Sequence, residues 1–404
     1  MHQKKILISG ASIAGLTLAF WLERYGFAVT IVEKTETIRT GGYPIDIRGP
    51  ARQVVERMGL LPALEGAQID THRLQFVGPA GRPLVTLRPD ELSGSAGGGD
   101  LELPREALTR ALAGAVGEHV HWMFHDSITA LTDAGGTVHV SFDSGAREDY
   151  DVVLGADGLH SHTRELIFGP EEQFHRYLGY CVAGFTMDNF LGIEHSAHMW
   201  NAPGRSATLR ATTQADSLHA FLTFARPRPP LEMHRDPRSQ RRLVADTFAG
   251  EAWHVPRMVE EMTRTQDLFF DVVSQIHLPA WSLGRVALAG DAAHAPSFMS
   301  GQGTSVALVG AYILASELAL QPDPSAAFAT YERLVRPFAE QNQALAQTGK
   351  FVLNPTTGRQ LFARNLAIRL VPVLTKLGIA VGGGERAYTA LALPDYGTLP
   401  AHRT

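Results

Sequence analysis

A glycine-containing turn near the start of the chain is the first group of residues that could do chemistry. The turn Gly10–Gly15 (GASIAG) directly follows the apolar run Ile6–Ile8. Gly10 permits a tight turn, Gly15 permits close packing of a helix on a strand, and Ser12 stands where the dinucleotide-binding fingerprint has its middle glycine. A helix that begins there offers free N–H groups to a pyrophosphate. Glu33, at the end of the next apolar run, is placed to bind ribose hydroxyls. The predicted cofactor contacts in this unit are Gly10, Ser12, Ala14, Gly15, Glu33 and Lys34.

Two aspartates follow apolar runs elsewhere in the chain. Asp157 lies in the segment Gly155–Gly158, which follows the apolar run Val152–Leu154, and Asp291 lies in the segment that follows Arg285–Ala289. Parallel strands present ligand-binding residues at their carboxyl ends, so both side chains are expected to point at one bound molecule. An isolated Asp-Gly pair is usually only a turn. Two such units in a chain that also carries the glycine turn favour the ligand site.

The pattern of apolar residues indicates which elements position these groups. The first 35 residues alternate strand, helix and strand, which predicts a parallel βαβ unit. From Tyr177 to Ala225 the apolar residues alternate without helices between them, which is typical of an antiparallel sheet. Gly303–Leu320 is apolar on nearly every side and predicts a buried helix. The glycine-rich run Ser93–Asp100 is expected to form a flexible loop.

Composition excludes several classes of protein. A chain of 404 residues with 45% hydrophobic and 19% charged residues predicts a globular protein of two domains, or of one domain with a large insertion. Its 36 basic and 41 acidic residues give a net charge of -5, which argues against a nucleic-acid partner. Cys181 is the one cysteine, so neither an intramolecular disulfide nor a thiolate metal cluster can form.

Neither a metal-binding site nor a membrane-spanning segment is expected. His119, His121 and His125 lie close in sequence but have no cysteine or carboxylate at ligand spacing, so no metal site is predicted. The apolar stretch Leu366–Val381 is interrupted by charges and a proline, which predicts packing on protein rather than membrane contact. The N-terminus lacks an apolar run long enough for secretion, so a cytoplasmic location is expected.

The order of these motifs resembles the single-component FAD-dependent monooxygenases of the p-hydroxybenzoate hydroxylase type, which include the tetracycline-inactivating monooxygenases. The likeness also covers Gly41–Asp46, Pro104–Arg105 and Gly301–Gly303. The resemblance implies that Glu33 binds the adenosine ribose, that Arg105 contacts the flavin side of the cofactor and that Asp46 lies near the flavin ring. It also implies that Asp157 serves both FAD and the nicotinamide cofactor and that Asp291 binds the ribityl or ribose-side hydroxyls. Gly301 and Gly303 would turn their N–H groups toward the flavin pyrimidine ring. A helix N-terminus at Gly303 suits the negative charge that appears there on reduction.

The resemblance also implies the fold class. We expect an α/β protein with a Rossmann-like, three-layer FAD-binding domain, an antiparallel sheet domain for substrate and C-terminal helices. The predicted FAD domain comprises residues 1–72, 101–175 and 280–335, the substrate domain comprises 73–100 and 176–279, and the helical segment comprises 336–404.

The implied reaction uses non-covalent FAD, O2 and transiently bound NAD(P)H to hydroxylate or epoxidise an aromatic or polycyclic small molecule through a flavin C4a-hydroperoxide. The sequence identifies no catalytic side chain. Phe298, Phe221 and Trp200 are candidates for the substrate pocket. A Baeyer–Villiger oxygenase, another flavin oxidoreductase and a non-catalytic flavin-binding protein remain as alternatives. A monomer or a weak homo-oligomer is expected.

Two residues depart from the family pattern beside the reactive edge of the flavin. Phe298 stands where relatives have a proline, and Ser305 stands where they have an asparagine. We expect both departures to leave FAD binding intact and to affect oxygen activation.

Overall fold

The computed structural model describes residues 3–38, 43–89, 91, 100–233, 236–377 and 387–397. Its strands are β1 Lys5–Ser9, β2 Ala28–Glu33, β3 Pro44–Ile47, β4 Arg73–Val77, β5 Pro83–Leu87, β6 Leu101–Pro104, β7 His121–Phe124, β8 Ile128–Asp133, β9 Val138–Phe142, β10 Arg147–Tyr150, β11 Val152–Gly155, β12 His175–Asp188, β13 Ser196–Ala202, β14 Arg205–Ala211, β15 Ser217–Ala225, β16 Phe269–Ile276, β17 Ser282–Leu283 and β18 Val286–Leu288. Its α-helices are α1 Ile13–Arg24, α2 Pro50–Arg57, α3 Leu61–Glu65, α4 Arg105–Ala115, α5 His162–Phe168, α6 Pro237–Thr247, α7 Val255–Arg264, α8 Asp291–His294, α9 Gly303–Leu320, α10 Pro324–Leu353 and α11 Gly358–Lys376.

A six-stranded sheet with strand order β17-β18-β11-β1-β2-β7 forms the centre of the first unit. Strand β1 pairs in parallel with β2 and with β11, and β11 pairs in parallel with β18. Helices α1 and α9 cover one face through a shared apolar core. The three-stranded sheet β10-β9-β8 covers the other face through a second cluster that includes Leu7, Val153 and Phe142. This arrangement of three layers confirms the predicted fold class.

A seven-stranded sheet with strand order β16-β12-β15-β14-β13-β4-β5 forms the second unit. Its neighbouring strands are antiparallel except for the parallel pair β13 and β4. Helices α6 and α7 pack on one face, where alternate strand residues such as Leu222 and Phe224 meet Val244 and Met258. The strands come from residues 73–87 and 175–276. The exact domain boundaries stay a prediction.

The long helices near the C-terminus differ in burial. Helix α9 is long and apolar enough to span a membrane by length and composition, but 83% of it is buried inside the protein. Its predicted burial is therefore confirmed. Helix α11 packs against β5 through Ile368 and Val371.

The packing expected for Leu366–Val381 is only partly realised. An exposed stripe on α11, spaced three or four residues apart, comprises Phe362, Leu366, Leu370, Val373 and Leu377. These side chains lie on the face of the helix that points away from β5, so a single neighbouring strand cannot cover them. Residues 378–381 lie outside the described part of the chain.

Candidate functional site

The turn between β1 and α1 can be built only with glycine at two positions. Gly10 has φ +101°, and a Cβ there would lie 2.6 Å from the carbonyl oxygen of Ala156. A Cβ on Gly15 would lie 1.9 Å from the carbonyl oxygen of Gly10. Ala14 is buried and faces Gly290, whose Cβ would come within 2.8 Å of the Ala14 methyl group. Gly10 and Gly15 therefore allow α1 to pack closely on the strand ends, so that its first turn lies at the carboxyl edge of the sheet.

Glu33 lies beside this turn at the end of β2. Its carboxylate accepts hydrogen bonds from the main-chain N–H of Ala11 at 2.9 Å and from the N–H and hydroxyl of Thr35 at 3.1 Å and 2.8 Å. The side chain is buried at 8% exposure, whereas the neighbouring Lys34 is exposed. Glu33 thus has the predicted position, and it also stabilises the turn itself.

Arg105, the first residue of α4, is brought to the same turn. Its guanidinium donates to the Ser12 hydroxyl at 2.8 Å. Ser12 occupies the N-cap position of α1, but its side chain makes no capping hydrogen bond. The first turn of α1 therefore keeps N–H groups for a ligand, with a cation close to them.

Asp157 and Asp291 have different environments although both follow strands of the central sheet. The Asp157 carboxylate accepts hydrogen bonds from the Ser161 hydroxyl and from the N–H and hydroxyl of Thr163, the latter two at 2.9 Å. Asp157 thus fastens the start of α5. The predicted contacts of Asp157 with FAD and nicotinamide stay predictions.

Asp291 keeps an exposed surface, although protein atoms pack closely around its carboxyl group. Burial raises the pKa of Asp291 to about 6, Arg105 opposes this increase, and Asp271 adds to it. The negative charge of such a carboxylate is destabilised, so hydrogen bonds from hydroxyl groups would stabilise it and protonation would remove it.

The loop before α9 lies against strand β3. Gly301 is left-handed with φ +66°, and a Cβ on it would lie 3.4 Å from the Asp46 carboxylate. The Ser305 hydroxyl donates to the main-chain oxygen of Asp46 at 3.2 Å and accepts from the N–H of Arg48 at 3.1 Å. Ser305, one of the two departures from the family pattern, therefore fastens β3 to the start of α9. Gly303 begins that helix.

These groups fit FAD. The glycine turn and Glu33 suit a pyrophosphate and a ribose, and the open carboxylate of Asp291 suits hydroxyl groups. The side-chain oxygen of Gln302, beside Gly301 and Gly303, is buried and has no hydrogen-bond partner among the described residues. A buried acceptor of this kind requires a donor, which the N–H of a flat heterocycle would supply.

Four aromatic side chains gather beside this loop. The Tyr43 ring lies 5.1 Å from that of Phe298, 5.4 Å from that of Phe269 and 6.4 Å from that of Phe221, and the rings of Phe298 and Phe221 lie 6.1 Å apart. Burial raises the pKa of Tyr43 to about 12, with Asp291 contributing, so the phenol stays neutral. We call these four residues the aromatic cluster.

The backbone next to the aromatic cluster is strained. Ser297, which precedes Phe298, has φ +93°, a conformation that side-chain-bearing residues rarely adopt. The sequence analysis identified Phe298 and Phe221 but missed Tyr43 and Phe269. Tyr43 lies in the Gly41–Asp46 segment that carried the resemblance, whereas Phe269 has no local signal. Arg39, Gly41 and Gly42 lie outside the described residues.

Trp200, the third candidate for the substrate pocket, lies in a hydrophobic core instead. It is 2% exposed and belongs to the core between the seven-stranded sheet and helices α6 and α7. It pairs with Ala207, which pairs with Leu222, so it shares their face of the sheet. Phe221, adjacent to Leu222, points to the opposite face. Trp200 therefore lies on the side away from the aromatic cluster.

Arg210 and His219 face each other on neighbouring strands of the seven-stranded sheet, and neither was a candidate from the sequence. Arg210 contacts Glu102 and donates to the Thr71 hydroxyl at 3.1 Å. Burial lowers the pKa of Arg210 to about 10 and, together with the charge of Arg210, lowers the pKa of His219 to about 4. These residues come from separate strands, so their spacing in the sequence gives no signal.

A second buried network joins the Asp157 loop to the seven-stranded sheet. Nδ1 of His160 lies 2.8 Å from the Glu171 carboxylate, and its Nε2 lies 3.3 Å from the carboxylate of Asp271, which belongs to β16. Burial opposes the charge of His160, but its hydrogen bonds to the two carboxylates outweigh burial and raise the pKa to about 9. At neutral pH His160 is therefore a cation that links the two units.

Comparison with known proteins gives a consistent result. A family model of an FAD binding domain matches residues 3–346. An uncharacterized protein of Mycobacterium tuberculosis is 40% identical over 344 residues, which is 85% of this chain and 92% of that protein. A flavin-dependent monooxygenase of an unknown prokaryotic organism is 35% identical over 399 residues, covering 98% of this chain and 100% of that protein. The crystal structure of tetracycline destructase Tet(55) superimposes with a TM-score of 0.82 at 33% identity, covering 98% of this chain and 99% of that chain. The chain therefore belongs to the FAD-binding-domain family, and it is an FAD-dependent monooxygenase similar to the tetracycline destructases.

Proposed function

We propose that this monooxygenase hydroxylates or epoxidises an aromatic or polycyclic small molecule, with NAD(P)H as electron donor and O2 as the source of oxygen. The aromatic cluster carries the proposal. It places four rings between the seven-stranded sheet and the loop that begins α9. Flat aromatic faces recognise other flat rings through offset and edge contacts.

The chain's own residues position the reactants and exclude water. Bound FAD would supply the redox chemistry and the activation of oxygen. Glu33 and the turn at Gly10 hold its adenosine end, Asp291 accepts hydrogen bonds from its hydroxyls, and the N-terminus of α9 stabilises negative charge on its ring. Phe298 and Tyr43 form an apolar wall that keeps water from the reacting atoms.

The nicotinamide cofactor is proposed to bind only transiently. The chain has one complete dinucleotide turn, and FAD uses it. We propose Arg39 and Arg48 as candidates for the cations that steer the phosphates of the nicotinamide cofactor. Arg48 is paired with Asp46 at 3.0 Å and lies 3.8 Å from Asp100. The charge of Arg48 is therefore largely neutralised, which argues against a role for Arg48 in steering the phosphates.

The proposed substrate is a planar, polycyclic phenol or a compound of similar shape. The similar protein Tet(55) is, by its name, a tetracycline destructase, and tetracycline is polycyclic. Tetracycline is therefore the first compound to test. We also propose a cytoplasmic enzyme that is a monomer or a weak homo-oligomer. Cys181 is buried and free, which suits a reducing compartment.

A rapid-mixing experiment tests the proposal. The FAD-loaded enzyme is mixed with NADH or NADPH and a panel of tetracycline, other polyketides and simple phenols, and oxidation of the nicotinamide is followed at 340 nm, the standard wavelength. Products formed under ¹⁸O2 are then analysed by mass spectrometry. We expect at least one polycyclic compound to accelerate oxidation and to gain one labelled oxygen.

The position of that oxygen separates the remaining functions. Insertion into a carbon–carbon bond beside a carbonyl would show a Baeyer–Villiger oxygenase. If no compound accelerated oxidation of NAD(P)H and none gained labelled oxygen, the proposed substrate class and electron donor would be wrong.

A further inference from the structure

Two histidines and an aspartate meet on the protein surface, outside the cofactor cleft. Asp70, His72 and His195 each offer a ligand atom, and these atoms lie within 4.8 Å of one another. We propose that Asp70, His72 and His195 form a binding site for a divalent first-row transition metal ion, with Zn²⁺ as the reference ion. This inference is independent of the proposed function, and it revises the expectation from the sequence that the chain has no metal site.

The parallel pair of strands β4 and β13 explains why these residues meet. Arg73 and Ser196 are the first paired residues, so His72 and His195 directly precede the pairing on adjacent strands. Adjacent strands are about 4.8 Å apart. The two imidazole rings accordingly stack with centroids 5.0 Å apart and an angle of 16° between their planes. Asp70 lies two residues before His72, and its carboxylate approaches Nε2 of that histidine.

Main-chain hydrogen bonds fix this arrangement. The N–H groups of His72 and Arg73 both donate to the carbonyl oxygen of His195, at 2.8 Å and 3.2 Å. The His195 backbone is left-handed with φ +50°, and its Nδ1 lies 2.9 Å from the carbonyl oxygen of Asp70. A histidine whose Nδ1–H donates to a main-chain carbonyl has its Nε2 directed outward as a ligand. The backbone thus orients His195 before any ion binds.

The distances suit a tetrahedral ion. Bonds of about 2.0–2.2 Å from Zn²⁺ to nitrogen and oxygen place neighbouring ligand atoms about 3.3–3.5 Å apart. Nε2 of His72 lies 2.7 Å from the Asp70 carboxylate, and a ring nitrogen of His195 lies within 4.8 Å of both. The three side chains are 53–60% exposed, so small rotations can reach the ideal spacing. Two imidazoles and one carboxylate favour Zn²⁺, Ni²⁺ or Cu²⁺ over Mg²⁺ or Ca²⁺. The remaining coordination positions stay open to water.

Histidine clusters that are close in sequence do not give the same geometry. Among the described residues, no group that includes His119, His121 or His125 brings three such ligand atoms together. His139 provides a matched comparison, since its Nδ1 lies 2.6 Å from the Asp149 carboxylate and both residues are exposed. That pair offers one imidazole and one carboxylate, and therefore lacks the second imidazole of the proposed site.

Calorimetric titration of the FAD-loaded enzyme with Zn²⁺ tests the proposal. We expect wild type to bind one ion at this site, and we expect His72→Ala, His195→Ala and Asp70→Asn each to weaken binding by at least about tenfold, because each removes one ligand. His139→Ala should bind Zn²⁺ as wild type does. Because these side chains are exposed, all variants should retain FAD and fold normally.

A second measurement is independent of heat signals from other sites. Zn²⁺ should raise the urea midpoint of the wild-type enzyme through its preference for the folded state, and EDTA should reverse this increase. The three ligand variants should show no such increase. Equal Zn²⁺ affinity in wild type and the ligand variants, or a loss in His139→Ala as large as theirs, would overturn the proposal.

Discussion

Replacement of Asp291 by asparagine should affect stability and cofactor affinity in opposite directions. Burial and the charge of Asp271 raise the folded-state pKa of Asp291 from 3.8 to about 6. The folded protein therefore holds this proton more tightly than the unfolded chain, and the resulting loss of stability grows as pH rises from about 4 through 6. A shift of this size corresponds to about 3 kcal/mol at most. Because Asp291 keeps an exposed surface, water screens its charge, and we expect the loss of folding stability at neutral pH to be about 1 kcal/mol.

In FAD-free protein, Asp291→Asn should therefore be more stable than wild type at pH 7.5 and equal to it at pH values below about 4. The loss of a charged acceptor for FAD hydroxyls should weaken FAD binding by about 1.5 kcal/mol, or roughly tenfold. Urea unfolding of FAD-free protein and titration of flavin fluorescence measure the two effects. The exposed Asp149→Asn serves as the control. A variant that is less stable without FAD, yet binds FAD as tightly as wild type, would refute the reasoning.

Three further predictions concern other parts of the site. Phe298→Ala should retain FAD but release more hydrogen peroxide per substrate hydroxylated, because the apolar wall is opened. The control Trp200→Phe, on the other face of the sheet, should leave this ratio unchanged. An unchanged ratio in both variants would show that Phe298 only packs in the core. His160 has a pKa raised to about 9, so its contribution to stability is complete below about pH 6.5 and is lost as pH rises through 9. The difference in urea midpoint between wild type and His160→Gln should therefore shrink over that range, and a constant difference would contradict the ion pairs. Gly15→Ala should purify without FAD absorbance or fail to fold, since its Cβ would overlap the Gly10 carbonyl, whereas Gly114→Ala meets open space and should be tolerated.

The parts of the site that could be predicted are those with a local signal. The turn at Gly10 and Glu33 lie within one βαβ unit, so their spacing in the sequence determines their spacing in the fold. The buried helix α9 was equally visible, because it is apolar on every side.

The remaining features depend on contacts between distant segments. Strand alternation shows that Trp200 and Phe221 face opposite sides, but it cannot show which side helices α6 and α7 cover. The hydrogen bonds that Ser161 and Thr163 donate to Asp157 likewise depend on where α5 begins. The aromatic cluster draws on four separate parts of the chain, and only the fold brings them together.

The order of strands in the central sheet has a consequence for synthesis of the protein. Strand β1 lies beside β11, and β11 lies beside β18, although well over a hundred residues separate each pair along the chain. During translation the first βαβ unit leaves the ribosome long before the partner strands that complete its edge. Contacts of such long range slow folding. The nascent chain must therefore keep an unpaired parallel strand from aggregating until its partner strands have emerged.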